Sequence, residues 1–563
     1  MRSRLRSDFE EGSVAWAIRR AEWGVLGLTD EDLHKPKIAI VNSSSGLAAC
    51  FVHLDGIAAR MKEAIRAAGG VPFEIRTAAP SDFITGAGRR GGYILSSRDL
   101  IVNDIEVAVE GALLDGMVCL ASCDKTVPGQ LMAAARLNLP TIVVACGYQP
   151  SGLYRGQHND IEDVWLSAAR RAAGGSDLTV EELREMSRNA ILGPGVCPGM
   201  ATANTMHVVC EALGMALPGT TPVLANSPRM WEAVGRAGRR IVELVWEDLK
   251  PRDILTPQAF ANAAMAVLSV SGSINSIKHL QAVAREAACD VDVYGLFERY
   301  ADTIPLLTAI RPNGEHLIED FERAGGASAL MKQLQGFLHL EAMTVSGRTL
   351  GENLRSATVA DEEIIRPVDR PLARRPSIVV VRGSLAPATG IVKLAVADDR
   401  ALRFRGPAHV FESTDQAVQA VHQGEVRAGE VVVLRGLGPR GTPGMGTATS
   451  LVFAIEGAGL TGKVAVVTDG QQSGLSNVGL VVNEVSPEAA DGGPLALVED
   501  GDPIVIDVER RVVDLEVPEE ELAARRARLR ESPPSEERSW LAIYRRLVTP
   551  LQEGAVLGGG LDR

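Results

Sequence analysis

The stretch "DGMVCLASCDKTVPGQLMAAARLNLPTIVVACG", residues 115–147, contains two different apolar patterns. Its beginning, "DGMVCLA", and its end, "PTIVVACG", are continuous apolar runs typical of buried strands. Between them, "GQLMAAARLNL" has helical spacing. A strand, a helix and a second strand in this order predict parallel strands joined by a crossover helix, and therefore an α/β fold.

Three chemically different side chains, Cys123, Asp124 and Lys125, follow the first of these strands. Because α/β folds bind their ligands at the carboxyl ends of parallel strands, the three are expected at a ligand-binding edge of the sheet. A thiol, a carboxylate and an amine placed side by side at such an edge indicate a metal site.

The composition limits the possible functions. The chain has 563 residues, is 46% hydrophobic and 23% charged, and carries a formal net charge of −13. A chain of this length is too long to fold around one compact core, so we expect at least two domains. The acidic balance argues against general nucleic-acid binding, since no basic excess neutralises phosphates. No run approaches the ~20 apolar residues of a membrane span.

The N-terminus and the cysteines predict a cytoplasmic protein. Basic residues open the chain, but the apolar core of a secretory signal does not follow them. An odd number of scattered cysteines in a reducing compartment indicates thiols or metal ligands, and no disulfide framework. These cysteines are Cys50, Cys119, Cys123, Cys146, Cys197, Cys210 and Cys289.

The pattern of elements changes near residue 366. Before it, strands and helices alternate, as in "KIAIVNSS", "FVHLDGIAARMKEAIRAAGG" and "VPFEIRT". After it, short strands dominate and helices are few. The predicted strands are "SIVVVRG", "HVFES", "EVVVLRG", "KVAVVTDG", "GLVVNEV", "PLALVEDG", "PIVIDV" and "RVVDLEV". We therefore predict an N-terminal parallel-sheet α/β domain over residues 1–365, a proline-containing linker over 366–376, and a β-rich, barrel-like C-terminal domain over 377–563.

Three cysteines occupy positions next to loops. Cys50 ends "NSSSGLAAC", Cys123 follows a strand, and Cys197 lies in the glycine-rich "GPGVCPGMATANTM". If these segments converge, their thiolates suit zinc or an iron–sulfur cluster. The alternative is that free cysteines are small buried hydrophobes, which is the preferred interpretation for the other four. Spacing alone leaves both open, because no short CxxC pair is present.

A polar turn in the C-terminal region presents a serine. In "KVAVVTDGQQSGLSNVG", glycines on both sides of Ser473 allow the backbone to approach a ligand closely. A serine acts as a base only if a nearby cation lowers the pKa of its hydroxyl, and the alternative is an ordinary turn serine. The glycine-rich loop 438–450 suggests anion binding, but it lacks the Gly-Lys-Ser/Thr ending of a P-loop.

Ordered motifs along nearly the whole chain resemble the dihydroxy-acid dehydratases, 6-phosphogluconate dehydratases and related sugar-acid dehydratases. The chain is identified as a divergent member of that family. The motifs are "DEDLHKPKIAIVNS", "SCDKTVPGQLMAAARLNLP", "GPGVCPGMATANTM", "VSGRTLGENL", "GPAHVFES", "TDGQQSG" and "VSPEAADGGPLALVEDGD". The resemblance implies a hydro-lyase that converts a 2,3-dihydroxy acid or sugar acid to a 2-oxo acid.

The resemblance also implies roles for individual residues. Iron–sulfur ligands are implied at Cys50, Cys123 and Cys197, with a [2Fe–2S] cluster favoured over a [4Fe–4S] cluster. Asp124 is similar to a Mg²⁺ ligand, Lys125 to a lysine that is carbamylated in some members, and Ser473 to the catalytic base. A small-molecule hydroxy acid is the implied substrate, and the implied assembly is a homodimer or homotetramer with the active site between the two domains.

Several positions depart from the family pattern. Arg89 and Thr447 stand where the resemblance leads us to expect two acidic Mg²⁺ ligands. Glu484 replaces a histidine, Leu475 replaces a residue that is often threonine, and "AAC" replaces "NPC" before the first cysteine. These changes predict a modified Mg²⁺ site in which Arg89 and Thr447 contact the substrate, with Arg89 on its carboxylate.

Three functional interpretations follow from these departures. The first is a dehydratase with a modified Mg²⁺ site. The second is a remodelled lyase or isomerase that acts on a specialised metabolite and keeps the cluster. The third is a non-catalytic paralogue that binds a ligand or partner. The fold alone does not choose among them, since one scaffold hosts many functions.

Overall fold

The structure, a computed structural model, describes residues 5–87, 91–172, 174–394, 402–529 and 538–558. The strands in these ranges are β1 Lys37–Asn42, β2 Val71–Arg76, β3 Gly116–Ala121, β4 Thr141–Ala145, β5 Gly152–Tyr154, β6 Gln157–Asn159, β7 Ile378–Val381, β8 Thr389–Lys393, β9 Arg403–Phe411, β10 Val431–Leu434, β11 Ala465–Thr468, β12 Leu480–Ser486, β13 Pro503–Asp507 and β14 Val512–Leu515.

The N-terminal region is rich in helices. They are α1 Val14–Gly24, α2 Leu54–Ala67, α3 Asp82–Thr85, α4 Gly92–Ala112, α5 Thr126–Leu137, α6 Ile161–Ala172, α7 Val180–Arg188, α8 Thr202–Ala212, α9 Pro228–Glu247, α10 Pro251–Ile254, α11 Pro257–Ser269, α12 Asn275–Glu286, α13 Val293–Tyr300, α14 Ile318–Arg323, α15 Gly326–Gln333 and α16 Leu350–Leu354. The later helices are α17 Thr414–His422, α18 Thr449–Gly457, α19 Glu519–Arg528 and α20 Trp540–Leu547.

The N-terminal sheet is parallel throughout, with the strand order β2-β1-β3-β4 in the described residues. The unit β3–α5–β4 corresponds to the stretch 115–147 and confirms the predicted strand, helix and strand. Strands β1, β3 and β4 are buried at every position. Continuous apolar strands are what a parallel sheet needs, because helices cover both of its faces.

Helix α2 shows how the sequence pattern buries this sheet. Its apolar residues Leu54, Ile57, Met61 and Ile65 recur at helical spacing and are fully buried. Their side of the helix packs against β1 and α9. The helix ends at Ala67, and Gly69 then adopts a positive φ of 85°, which glycine tolerates at a helix C-terminus.

The C-terminal sheet is mixed and nearly closed. In the described residues its order is β14-β13-β9-β10-β11-β12-β8-β7. The central strands β9 to β12 are parallel, and the flanking pairs are antiparallel. A bridge between Arg382 and Val512 joins the two ends, with Arg382 N–H donating to Arg511 O at 3.0 Å. This closure confirms the predicted barrel-like region.

Two details of the predicted C-terminal region are wrong. "PLALVEDG" contains a 3₁₀ helix, Pro494–Leu497, and no strand. Proline has no N–H to donate to a strand ladder but fits the first turn of a helix, which explains the difference. Helices are also more frequent than expected, since α17 and α18 connect the parallel strands β9, β10 and β11. Ser413 caps α17 by accepting the N–H of Gln416.

The segment 366–376 contains no helix or named strand and lies against the N-terminal region. Its backbone donates from Arg366 to Leu307 O and from Leu372 to Leu306 O, each at 2.9 Å. The predicted domain boundaries at 365 and 377 stay a prediction. None of the helices in the described residues is long and apolar enough to cross a membrane.

Candidate active site

A cavity of about 650 Å³ lies where the loops that follow several parallel strands meet. The loops after β1, β2, β3 and β4 contribute to its lining from the N-terminal sheet, and those after β10 and β11 contribute from the C-terminal sheet. Both sheets therefore direct the carboxyl ends of parallel strands at one space. Open α/β sheets bind their ligands at this end of their strands.

The three cysteines that were singled out from the sequence line this cavity together. Ser122 ties two of their segments together, because its hydroxyl donates to the carbonyl of Cys50. Asn204 on α8 holds the third segment by donating to Cys197 O at 2.9 Å and to Gly199 O at 2.8 Å. Residues 50, 123 and 197, which are distant in sequence, are thus fixed at one site.

The thiols are close enough to affect one another. A hydrogen bond with the Cys50 thiol, together with burial, raises the pKa of Cys123 well above its usual range. Burial likewise raises the pKa of Cys197. These thiols therefore stay protonated in the bare site, and a bound metal would supply the positive charge that favours thiolates. A soft metal or an iron–sulfur cluster fits this donor set.

Two carboxylates lie beside the cysteines. Burial raises the pKa of Asp124 to about 7, and the nearby Asp82 carboxylate adds to this shift. Asp82 Oδ1 is buried and has no hydrogen-bond partner within the described part of the chain. Two close carboxylates, one of them with an unpartnered oxygen, fit a hard divalent cation such as Mg²⁺.

Lys125 is fully buried and pairs with the same carboxylates. Its Nζ lies 3.3 Å from Asp82 Oδ2. Burial lowers the pKa of Lys125, but Asp82 and Asp124 outweigh this effect, so that the pKa is raised. The ammonium thus offsets part of the negative charge of the two aspartates.

Asp82 was not singled out from the sequence. The family resemblance led to Arg89 at the position of the acidic ligand, yet an acid lies seven residues earlier and reaches the site. Position 89 itself lies outside the described residues. One sequence feature could have identified Asp82 as a site residue. It lies six residues after the end of β2, at the same sheet edge as Asp124.

Ser473 lines the cavity from the loop after β11. Its backbone N–H donates to Thr449 Oγ1 at 2.8 Å, and its hydroxyl accepts the N–H of Leu475 at 3.2 Å. A hydroxyl that accepts a backbone N–H is oriented, and negative charge that develops on it is stabilised. The structure thus brings Ser473 to the same cavity as the cysteines and aspartates.

Gly474 allows the loop that carries Ser473 to lie close to Thr202 and Ser273 of the N-terminal region. A Cβ at this position would lie 2.7 Å from the backbone nitrogen of Thr202 and 2.8 Å from Ser273 Oγ. Only a residue without a side chain fits such a contact. Thr202 in turn hydrogen-bonds to Asp124, so the glycine connects the serine loop to the carboxylate site.

Thr447 also lines the cavity, and its contact with substrate stays a prediction. Its Oγ1 lies 3.0 Å from Thr449 Oγ1, the acceptor of the Ser473 N–H. A hydroxyl chain therefore leads from Thr447 to the serine loop. A carboxylate at this position would instead add a third acid to Asp82 and Asp124.

Glu484 lies behind the site in a buried ion pair. Lys278 Nζ on α12 lies 2.5 Å from Glu484 Oε1 on β12, and neither side chain is exposed. Burial lowers the pKa of Lys278 to about 8, although Glu484 opposes this shift. Lys278 also donates to Asn275, whose amide donates to Gln472 O at 3.2 Å. Asn275 lines the cavity, so the pair supports its wall.

The other cysteines behave as expected for structural residues. Cys119, Cys146 and Cys210 are buried, Cys289 is half-buried, and all seven cysteines are free. Burial raises the pKa of Cys119 to about 12, which keeps it a neutral thiol. These four are not among the described residues that line the cavity.

With fold and site established, comparison with known proteins identifies the class of protein. Residues 35–353 match the family described as dihydroxy-acid/6-phosphogluconate dehydratase N-terminal, and residues 363–555 match the corresponding C-terminal family. The chain belongs to the dihydroxy-acid/6-phosphogluconate dehydratase family, a family of hydro-lyases. The identification made from its sequence motifs is thereby confirmed.

Individual relatives resemble the chain over its whole length. A dihydroxy-acid dehydratase from Pyrococcus abyssi is 42% identical over 559 residues, which cover 98% of this chain and 100% of the relative. One from Caldicellulosiruptor saccharolyticus is 40% identical over 555 residues, with coverage of 98% and 100%. One from Ignicoccus hospitalis is 40% identical over 545 residues, with coverage of 96% and 98%.

Proposed function

We propose that this protein removes water from a 2,3-dihydroxy acid to give a 2-oxo acid, with an iron–sulfur cluster and a divalent cation as cofactors. The observation that carries the proposal is the meeting of Cys50, Cys123 and Cys197 with the Asp82–Asp124 pair and Ser473 around one cavity. Its membership of the dehydratase family and its full-length likeness to dihydroxy-acid dehydratases support the same reaction.

The two implied cofactors would occupy neighbouring parts of the site. The three cysteines would hold the cluster, and a [2Fe–2S] form needs only one further ligand beyond three thiolates. Asp82 and Asp124 would hold Mg²⁺, with Lys125 as a further ligand if it is carbamylated. When bound, the cluster would supply a Lewis acid for the departing 3-hydroxyl and Mg²⁺ would supply charge near the substrate carboxylate.

Residues of the chain position the substrate and transfer the proton. Asp82 and Asp124 would hold the cation that binds the carboxylate end of the substrate, and Ser473 lines the same cavity. Ser473 acts as an alkoxide, stabilised by the N–H that Leu475 donates to its oxygen, and takes the proton from C2. The C3–oxygen bond breaks, the hydroxide that leaves takes this proton from Ser473 to become water, and the resulting enol tautomerises to the 2-oxo acid. Water is lost and no net oxidation or reduction occurs.

Metal analysis of anaerobically purified protein tests the cofactor assignment. We expect about two iron and two sulfide per chain, as a [2Fe–2S] cluster requires, together with Mg²⁺. Serine variants of Cys50, Cys123 and Cys197 should each lose iron, whereas Cys289→Ser, a matched control outside the cavity, should keep it. Full iron content in all three variants would contradict the ligand assignment.

Substitution of Ser473 tests the catalytic step. We expect Ser473→Ala to lower kcat on a 2,3-dihydroxy acid by about 10²–10⁴-fold, the usual loss when a general base is removed. Iron, sulfide and Mg²⁺ content should not change. Ser187→Ala on the exposed face of α7 is the matched control. Wild-type turnover by Ser473→Ala would exclude the serine as the base.

A remodelled lyase or isomerase is the second candidate, and Thr447 favours it. This residue offers a hydroxyl where the family resemblance leads us to expect a third metal-binding acid. A cluster without Mg²⁺, and no release of 2-oxo acid from any dihydroxy acid, would support this candidate over the dehydratase. Assembly as a homodimer or homotetramer and a cytoplasmic location stay predictions.

A further inference from the structure

The cavity has two chemically different parts. Its polar part holds the cysteines, Asp82, Asp124 and Ser473, described above. Its other part is an apolar wall that these reacting groups do not use. The wall is formed by one side of α6, by the loop that carries Leu47, and by Phe83, Ile84 and Ile191.

Helix α6 supplies most of this wall. Its apolar residues Ile161, Val164, Trp165 and Ala168 follow the spacing i, i+3, i+4 and i+7, and all of them line the cavity. None of the residues of this helix, all of which the structure describes, is fully buried. An apolar helix face that lines a cavity and is only partly buried has the composition of a binding surface.

Trp165 is held rigidly at the centre of the wall. Its ring meets Phe83 edge-on, with centroids 5.7 Å apart, and meets Phe453 edge-on at 5.3 Å. An ion pair between Arg170 and Glu456, at 2.5 Å, fixes the end of the same helix to α18. An aromatic surface immobilised in this way binds an apolar group at little cost in side-chain entropy.

The wall continues to an apolar rim. The exposed fractions of Leu47, Ile84 and Ile191 are 63%, 54% and 40%, and all three line the cavity. Exposed apolar side chains that are continuous with a ligand cavity favour a ligand that covers them. A ligand that covers this rim must extend from the polar part to the cavity mouth.

The apolar wall offers few hydrogen-bond partners to a hydroxyl-rich substrate. Among the described residues that line the cavity, none is lysine, arginine or histidine. Sugar hydroxyls would lose hydrogen bonds with water on entering the apolar wall.

We infer that the substrate is a 2,3-dihydroxy acid with a large apolar substituent, most suitably an aryl group, that packs against Trp165. This inference rests on the proposed dehydratase function, because it assigns the 2,3-dihydroxy acid end of the substrate to the polar part. It adds that the rest of the substrate is apolar, and it makes Trp165 a specificity-determining residue.

A substrate series tests the inference directly. With cluster-loaded enzyme, kcat/KM is measured for 2,3-dihydroxy-3-phenylpropanoate, for the small branched 2,3-dihydroxy-3-methylbutanoate, for gluconate and for 6-phosphogluconate. We expect the phenyl acid to exceed the small branched acid by at least about tenfold, since one added methylene alone changes specificity by about 10–200-fold in an apolar pocket. Equal or higher kcat/KM for the small acid or for the sugar acids would overturn the inference.

Substitution of the wall tests the residue assignment. We expect Trp165→Ala to raise KM for the phenyl acid at least about tenfold and to reduce the preference for it over the small acid. Leu47→Asp, at the exposed rim, should act in the same direction without disturbing the core. Trp246→Ala is the matched control, as Trp246 is not among the described cavity residues. An unchanged preference in both wall variants would overturn the role of the wall.

A binding measurement separates failure of this inference from failure of the proposed function. 3-Phenyllactate carries the aryl group and the 2-hydroxy acid but no 3-hydroxyl, so it cannot lose water. Calorimetry should show that it binds at least about tenfold more tightly than lactate, and that Trp165→Ala removes the difference. Equal affinity for the two acids overturns the inference. Tight phenyllactate binding without turnover of any dihydroxy acid overturns the dehydratase and leaves the apolar-ligand assignment standing.

The same variants test whether a second copy of the chain covers the rim instead. In that case Leu47→Asp would change the sedimentation behaviour of the protein and leave the substrate preference unchanged, which would overturn the inference. An unchanged sedimentation profile together with a reduced preference for the phenyl acid supports it.

Discussion

Thr447 determines how many acids surround the proposed cation. The site already contains Asp82 and Asp124, and the nearby Asp82 carboxylate adds to the effect of burial in raising the pKa of Asp124 to about 7. A third acid would increase the affinity for a divalent cation. It would also increase the repulsion among the carboxylates when no cation is bound. The threonine hydroxyl leaves the site less acidic and predicts weak Mg²⁺ binding.

Thr447→Glu should therefore strengthen Mg²⁺ binding. We expect the dissociation constant for Mg²⁺ to fall by about tenfold, which corresponds to about 1.4 kcal/mol. Calorimetry or equilibrium dialysis on the metal-stripped protein measures the change. Thr447→Gln has nearly the same size without the charge and is the matched control. Equal affinities for the two variants would show that position 447 does not face the cation.

Lys37 makes stability depend on alkaline pH. It is fully buried at the start of β1, where burial lowers its pKa from 10.5 to about 8. Between about pH 8 and 10.5 the unfolded chain keeps a proton that the folded chain releases, so stability rises with pH in that window. Below pH 8 both states are protonated and the buried charge is a constant cost.

Lys37→Met should remove the cost of the buried charge and the rise of stability at alkaline pH. The loss of a buried charge should stabilise the protein at pH 7 by about 1–2 kcal/mol, a figure that allows for the lost hydrogen bond from Lys37 to Leu33 O. The rise of stability between pH 8 and 10.5 should become smaller. Denaturant unfolding across this range measures both. Lys463→Met, which also removes an Nζ–carbonyl bond but at an exposed site, is the control and should retain the wild-type slope.

The contact between α12 and β12 depends on the Lys278–Glu484 ion pair. Both side chains are fully buried, and 206 positions in the sequence separate them. Removal of one partner from a buried pair leaves an uncompensated charge, which is far more costly than removal of both. This pair therefore joins an N-terminal helix to a C-terminal strand directly behind the cavity.

Lys278→Met should destabilise the protein by about 3–5 kcal/mol, because Glu484 would remain buried and unpaired. Lys278→Met combined with Glu484→Gln should recover most of this loss. Denaturant unfolding of both variants measures the two values. An exposed ion pair provides the comparison: Arg60→Met, which breaks the pair with Glu63, should cost at most about 1 kcal/mol. A double variant as unstable as the single one would contradict the explanation.

Elements with a strong local pattern were predictable from the sequence. Continuous apolar runs identified β1, β3 and β4, and the helical spacing of α2 identified its buried face. The failures have local causes as well. A proline led to a 3₁₀ helix in "PLALVEDG", and α17 has only three buried residues to signal its helical period. Short elements carry too few apolar positions for their period to be recognised.

The candidate site was predictable to a different extent. Local sequence context indicated the three cysteines, Asp124 and Ser473, and the resemblance to a family supplied their predicted roles. The cavity brings all five residues together. The presence of Asp82 at the candidate site was missed because a single acid after a strand has no characteristic spacing. The Lys278–Glu484 pair was missed because no local pattern joins positions so far apart in the chain. The apolar wall depends on how α6 is placed in space, which its own sequence does not determine.

At the scale of the whole molecule, the candidate site exists only where the two regions meet. The cysteines and aspartates belong to the N-terminal region, whereas Ser473 and Thr447 belong to the C-terminal one. Gly474, beside Ser473, has no room for a side chain against Thr202. We expect this contact to control the distance between Ser473 and the Asp82–Asp124 pair.

Gly474→Ala should disturb that distance. An added Cβ would meet backbone and hydroxyl atoms at 2.7 and 2.8 Å, so we expect a loss of about 1–3 kcal/mol in stability and a marked loss in kcat. Thermal unfolding and steady-state kinetics measure the two effects. Gly336→Ala adds the same methyl group where no atom lies within 4 Å, and it should change neither. Wild-type kcat in Gly474→Ala would show that the contact is not critical.

Helix α6 contributes to the cavity without supplying any of the residues assigned to cofactors or proton transfer. Mutations on its cavity side can therefore accumulate without altering the reaction centre, while the Arg170–Glu456 pair keeps the helix anchored. Enzymes descended from one ancestor would in this way diverge in substrate specificity while all catalysing the same elimination of water. For an engineer, the same four positions on one helix form a compact library from which new substrate ranges can be selected.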